Sequence, residues 1–167
     1  MADGSQALSD GLGRLRATLQ VTQDRPLRFA VAAFNTLGAA QRVSLELTSI
    51  PNAPSTVSYL GLHEVLDLGT ADLEKLPFPA NRALVACSKG LVADRLASCL
   101  GGGVGSLRGA LATWLIPRHA AEIERAVENE DVVIWVQLQD NEDERRAYRT
   151  LLAAGCHSVG VHDLVRA

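Results

Sequence analysis

Apolar and polar residues alternate along this chain with two different periods, and the change from one to the other marks out its elements. "RFAVAAF" (28–34) and "VVIWVQL" (132–138) are short, almost continuously apolar runs, as expected of strands buried on both faces. "STVSYLGL" (55–62) and "SVGVHDL" (158–164) alternate and predict two further strands. In the last run Val159 and Val161 share one face, and Gly160 and His162 the other. Helical spacing takes over in "NTLGAAQRVSLELTSIP", with Asn35 as its expected N-cap and Pro51 beyond its end. It returns in "PRHAAEIERAVENED", where Pro117 suits the first helical position and Ala120, Ile123 and Val127 form the stripe to be buried. "DNEDERRAYRTLLAAG" carries Asn141 and Glu144 at capping-box spacing and Gly155 at its stop.

The order is strand–helix–strand, an insertion, then helix–strand–helix–strand. It predicts an α+β domain, a ferredoxin-like sheet with helices on one face. The first and third strands of that core would be central, and these are the two most continuously apolar runs. The alternative is an α/β doubly wound parallel sheet, because "ALVACS" (83–88) followed by a helix could add a βα unit. Periodicity leaves open whether "ALVACS" is a strand or the start of "KGLVADRLASCL". Residues 63–100 read as the insertion, and 63–82, with most of the prolines and turn residues, as a loop with little regular structure. Residues 1–24 read as a tail with a short amphipathic helix (Leu8, Leu12, Leu15, Leu19), and 25–167 as one domain.

Composition narrows the function classes. A chain of 167 residues with 47% hydrophobic and 21% charged residues is that of a globular domain. A net charge of −3 gives no electrostatic footprint for nucleic acid, and Arg145, Arg146 and Arg149 are offset by Glu142, Asp143 and Glu144. No apolar window reaches the length of a transmembrane span. Cys87, Cys99 and Cys156, odd in number and without CxxC spacing, fit a reducing cytoplasm. The stretch "MADGSQALSDGLGRLR" lacks the basic start and apolar run expected of a secretory signal.

The stretch "CLGGGVGSLRGALATWLIP" (99–117) invites three chemical readings. A phosphate cradle would have to leave a strand directly, yet the residues before Gly101 look helical, and there is no GK[ST]. A membrane hairpin is interrupted by Arg108. The third reading is close packing: Gly101, Gly105 and Gly109 fall at every fourth position and would form one smooth ridge if the segment is helical. A non-helical bend at Gly101 to Gly103 is the other way to account for the glycines.

A glycine-rich segment, a proline-started helix ending in acids, "VVIWVQL", "NEDERRAYRTLLAAG" and a closing "SVGVHDL" together resemble the bacterial general-stress (heat-induced stress protein) domain over Gly101 to Leu164. The resemblance implies a small ferredoxin-like α+β domain with no catalytic residues to carry over. Nothing else in the chain supplies a catalytic set. There is no GxSxG elbow, and Cys87 and Cys99 sit in apolar surroundings that raise a thiol pKa. The four histidines are scattered, and His157 and His162 point to opposite faces of a strand, so neither a metal site nor a cofactor is expected.

One constellation remains. Val133, Trp135 and Gln137 share a sheet face with His162 and Gly160, joined by Phe29 or Phe34. A face bearing Trp135 is expected to be covered by a second copy of the chain, packing sheet on sheet as a homodimer, or by the N-terminal helix. Two functions follow. One is a non-enzymatic stress-associated protein acting by self-association or partner binding. The other is a small-molecule binder or enzyme using a pocket near Trp135 and His162. A filled face favours the first; a cavity with His162 and another titratable group on its wall favours the second.

Overall fold

A computed structural model describes residues 27–49, 56–67, 72–80 and 83–164. The N-terminal helix expected within residues 1–24 lies outside them. Six strands are described: β1 (Leu27–Phe34), β2 (Val57–Leu62), β3 (Leu73–Ala80), β4 (Ala83–Ser88), β5 (Val132–Leu138) and β6 (Ser158–Leu164). Five helices accompany them: α1 (Leu37–Thr48), α2 (Leu91–Gly101), α3 (Leu107–Leu111), α4 (Pro117–Glu128) and α5 (Asn141–Ala153). The strands form one sheet in the order β3-β4-β2-β5-β1-β6. Every neighbouring pair is antiparallel. This excludes the doubly wound parallel alternative.

β1 and β5 lie side by side in the interior, as their apolar runs require. Both of their faces are buried. Ala30, Ala32, Phe34, Ile134 and Val136 pack with Ala40, Val43 and Leu47 of α1 and with Ala147 and Leu151 of α5. Phe29, Val31, Val133 and Trp135 pack on the opposite side with α2, α3, α4 and the α3–α4 connection, through Leu96, Leu111, Ile123 and Leu115 among others. The expectation of helices on one face is therefore corrected: the sheet is sandwiched. The sequence between β2 and β5 folds back as three helices that cover what would otherwise be an exposed aromatic face.

The segment expected to be an irregular loop contributes β3. Pro77 and Pro79 lie on this strand, which is tolerable because β3 is an edge and owes hydrogen bonds to one neighbour only. "ALVACS" is β4, a strand rather than a helix start. Two helix caps shift by one residue. Thr36, not Asn35, accepts the Ala39 N–H at the start of α1 at 3.2 Å. Asp140, not Asn141, caps α5 by accepting the Asp143 N–H at 2.8 Å. Asp143 in turn accepts the Gln139 N–H, and also pairs with Arg146. None of the described helices is long and apolar enough to cross a membrane.

Candidate functional site

Register decides what lies beneath the helical cover. Phe29 pairs with Gln137 on one side and His162 on the other; Val31 pairs with Trp135 and Gly160; Ala33 pairs with Val133 and Ser158. Paired residues share a face, so these three rows cross β5, β1 and β6 on the same side of the sheet. Phe29, not Phe34, is the phenylalanine on this side. Along the middle row the side chains step down from tryptophan through valine to glycine.

Trp135 is fully buried at the high end. Trp114, from the connection between α3 and α4, stacks on it with ring centroids 5.7 Å apart and planes 14° from parallel. Phe29 meets it edge-on at 6.2 Å and 76°. The Arg95 guanidinium lies 5.6 Å from the Trp114 ring centroid. Trp135 is thus part of the core, neither a pocket floor nor a face open to a second copy. Gln137 is engaged at the sheet end, 2.8 Å from the Thr56 hydroxyl, which donates to its side-chain oxygen.

At the low end a groove remains between α4 and β6. Its helix wall consists of His119, Glu122, Ile123 and Ala126, spaced i, i+3, i+4 and i+7, and hence on one face of α4. Ser158, Gly160 and His162 supply the strand wall, and Val31, Ala33 and Val133 contribute to the floor. The groove is open on one side and its volume is about 130 Å³. That is close to the roughly 150 Å³ of an apolar cavity able to hold benzene. Beyond Ser158 the groove opens into a polar trough bordered by Asn35, Arg125, Asp131 and His157. There the His157 Nε2 contacts the Asn35 side-chain oxygen.

The groove's main polar feature is a histidine pair. His119 Nδ1 and His162 Nδ1 are 3.2 Å apart, with the rings edge to face at 74°. One ring donates Nδ1–H and the other accepts. Burial, and secondarily the nearby His119, hold the His162 imidazole below its ordinary pKa, against the opposing pull of Asp163 and Glu122. His162 is accordingly neutral at physiological pH. Gly160 makes room for its ring, since a Cβ there would lie 3.0 Å from His162 Nε2. Glu122 is held at the groove's rim by Arg118 at 3.1 Å. Among the described residues no group of three or more His, Cys, Asp or Glu side chains is placed to hold a metal ion.

Of the four residues expected to share a functional face, His162 and Val133 line the groove, while Trp135 and Gln137 do not. His119 is the residue that sequence reasoning left isolated; the fold brings it across 43 positions to His162. The glycine ridge does not form. Gly101 ends α2, Gly103 turns at φ +85°, Gly105 lies in the connection and Gly109 sits in the short helix α3. The left-handed turn at Gly103 interrupts the helix, so the three glycines do not share a helical face. At Gly109 a Cβ would come within 3.0 Å of the Ser106 hydroxyl and the Val104 side chain, both just ahead of its own helix.

Comparison with protein-family models, curated proteins and solved structures finds no match.

Proposed function

We propose that this protein binds a small ligand, the size of a single aromatic ring, in the groove between α4 and β6. The observation that carries the proposal is the His119–His162 pair set in the wall of a small groove with an apolar floor. Ile123, Ala126, Val31 and Val133 would take the ligand's apolar body. Because His162 is neutral, it offers hydrogen bonding without a positive charge. This favours a neutral ligand with one polar group over a strongly anionic one. The role is binding rather than turnover, in keeping with the general-stress resemblance, which implies no catalytic residues. The core around it is read as ferredoxin-like, supported by the consecutive order β2-β5-β1-β6 and by α1 and α5 on a common face. A cytoplasmic setting, with the cysteines reduced, completes the reading.

Phenol, an apolar ring with one hydroxyl, is a suitable probe. A ¹H–¹⁵N correlation titration is expected to give saturable shifts along residues 119–126 and 158–162, abolished by Ala126→Leu, which fills the groove. Saturable shifts elsewhere, or none at millimolar phenol, would overturn the assignment.

A further inference from the structure

The two edges of the sheet are built differently. β3 carries Lys75, Pro77 and Pro79, and its pairing with β4 slips between Leu76 and Pro79. Prolines, a lysine and an irregular register are the features that stop another strand from adding to an edge. β6 has none of them. Its seven residues, Ser158–Leu164, contain no proline or lysine and pair with β1 residue for residue, with no break in register. Its outward backbone row has no neighbouring strand among the described residues. Val159, Gly160, Val161 and His162 are each only half-buried.

We propose that two copies of the chain associate by antiparallel pairing of β6 with β6 about a two-fold axis at Val161. Among two-fold registers, only an axis at the strand's midpoint engages all seven residues, and residue 161 is that midpoint. The same register keeps like charges apart. Gly160 lies opposite the second copy's His162 and Ser158 opposite its Leu164. Val159 lies opposite Asp163, which keeps the two aspartates from facing each other. Val161 meets itself on the α1/α5 side. On the groove side the two His162 residues become diagonal neighbours, about 7–8 Å apart, within reach of ring side chains. Each copy's β6 then closes the outer flank of the other's groove, which among the described residues β6 alone bounds. The shared cavity rests on the ligand-binding reading above; the strand pairing does not.

The test replaces the residue on the axis. Val161→Lys and Val161→Glu each place like charges directly opposite one another, whereas a mixture places opposite charges there. By light scattering the wild type is expected at twice the 17.8 kDa chain mass. Each variant should fall to the single-chain mass, and an equimolar mixture should return to the double mass. Recovery in the mixture also establishes that both variants fold. A wild type that stays at 17.8 kDa, or variants that dimerise unaided, would overturn the pairing. Variants that stay single when mixed would also overturn it, provided their circular dichroism matches the wild type. Phenol titration of the same samples separates the two proposals. Weaker binding in each variant, restored in the mixture, is expected of a shared cavity. Undiminished binding by single chains overturns the shared cavity but leaves the groove reading intact. Loss of phenol binding in every sample, with dimerisation as expected, overturns the groove reading alone.

Discussion

Truncation of Trp135 to alanine tests whether the helices between β2 and β5 are integral to the core. Trp135 has no exposed surface, is stacked under Trp114 at 5.7 Å, and meets Phe29 edge-on at 6.2 Å. Removing a buried indole of this kind costs about 3–5 kcal/mol, the lost transfer energy plus the cavity left behind. Trp114 is only half-buried and can settle inward, which places the expectation near the lower end, about 3 kcal/mol. Against a total stability of about 5–15 kcal/mol for a domain, the variant should still fold, with a clearly reduced urea midpoint. Far-UV circular dichroism would follow the transition. Trp114, then the only tryptophan, should emit at longer wavelength than the wild-type average, having lost its stacking partner. If the face were instead open to solvent, Trp135→Ala would behave as a surface substitution and change stability by no more than about 0.5 kcal/mol. A measured loss below about 1 kcal/mol would refute the covered face. A double-mutant cycle with Trp114→Ala should also show coupling of about 0.5–1.5 kcal/mol, the contribution of the stacked pair beyond buried area.

Three further outcomes follow from the same geometry. The folded state holds His162 below the ordinary imidazole value of 6.5, so protonation favours unfolding. Its contribution is fully present above pH 6.5 and is lost as pH falls from there towards the lower folded value; His162→Gln should flatten that part of the urea-midpoint profile, and parallel profiles would contradict the reasoning. Burial, reinforced by Glu74 and Asp94, pushes the Cys87 thiol up to about 12, so an alkylating reagent at mildly alkaline pH should label Cys87 only after unfolding, as peptide mass spectrometry would show. Asp143→Ala removes the buried carboxylate that accepts the Gln139 N–H and pairs with Arg146, and should cost about 1.5–3 kcal/mol by thermal or urea unfolding; a loss within experimental error would show that water replaces it.

What could be read from the sequence divides along the distance between the residues involved. The apolar runs of β1 and β5, the alternation of β6 and the acidic start of α5 are local signals, and each of these elements formed where its pattern lies. Period two also sufficed to put Val133, Trp135, Gln137, Gly160 and His162 on one face. It could not say what covers that face. That depends on α2–α4 returning over the sheet, a tertiary choice with no local signature beyond apolar stripes. β3 was hidden for a different reason: Pro77 and Pro79 argue against a central strand, and the sequence does not announce that this strand is an edge. His119 was the hardest. Its spacing with Glu122, Ile123 and Ala126 is visible along one helical face, but its meeting with His162 exists only once α4 lies across β5 and β1.

The position of the groove follows from how the helical cover is connected. The inserted sequence leaves the sheet at β2, builds β3 and β4 on that side, and covers the second face working back towards β5. α4, the last helix of the cover, must end where β5 begins, at Val132. Its reach across the sheet is therefore limited, and β6, the strand farthest from the insertion, is left at the margin. The two faces of β6 carry this asymmetry in their side chains. Val159 and Val161 turn towards the layer of α1 and α5 and are apolar. Ser158, Gly160 and His162 turn towards the margin of α4 and are small or polar, as suits surface that none of the described helices fully covers. The groove is thus the place where a cover anchored at one edge of the sheet stops short of the other. A histidine from each side meets there, His119 from the last helix of the cover and His162 from the marginal strand.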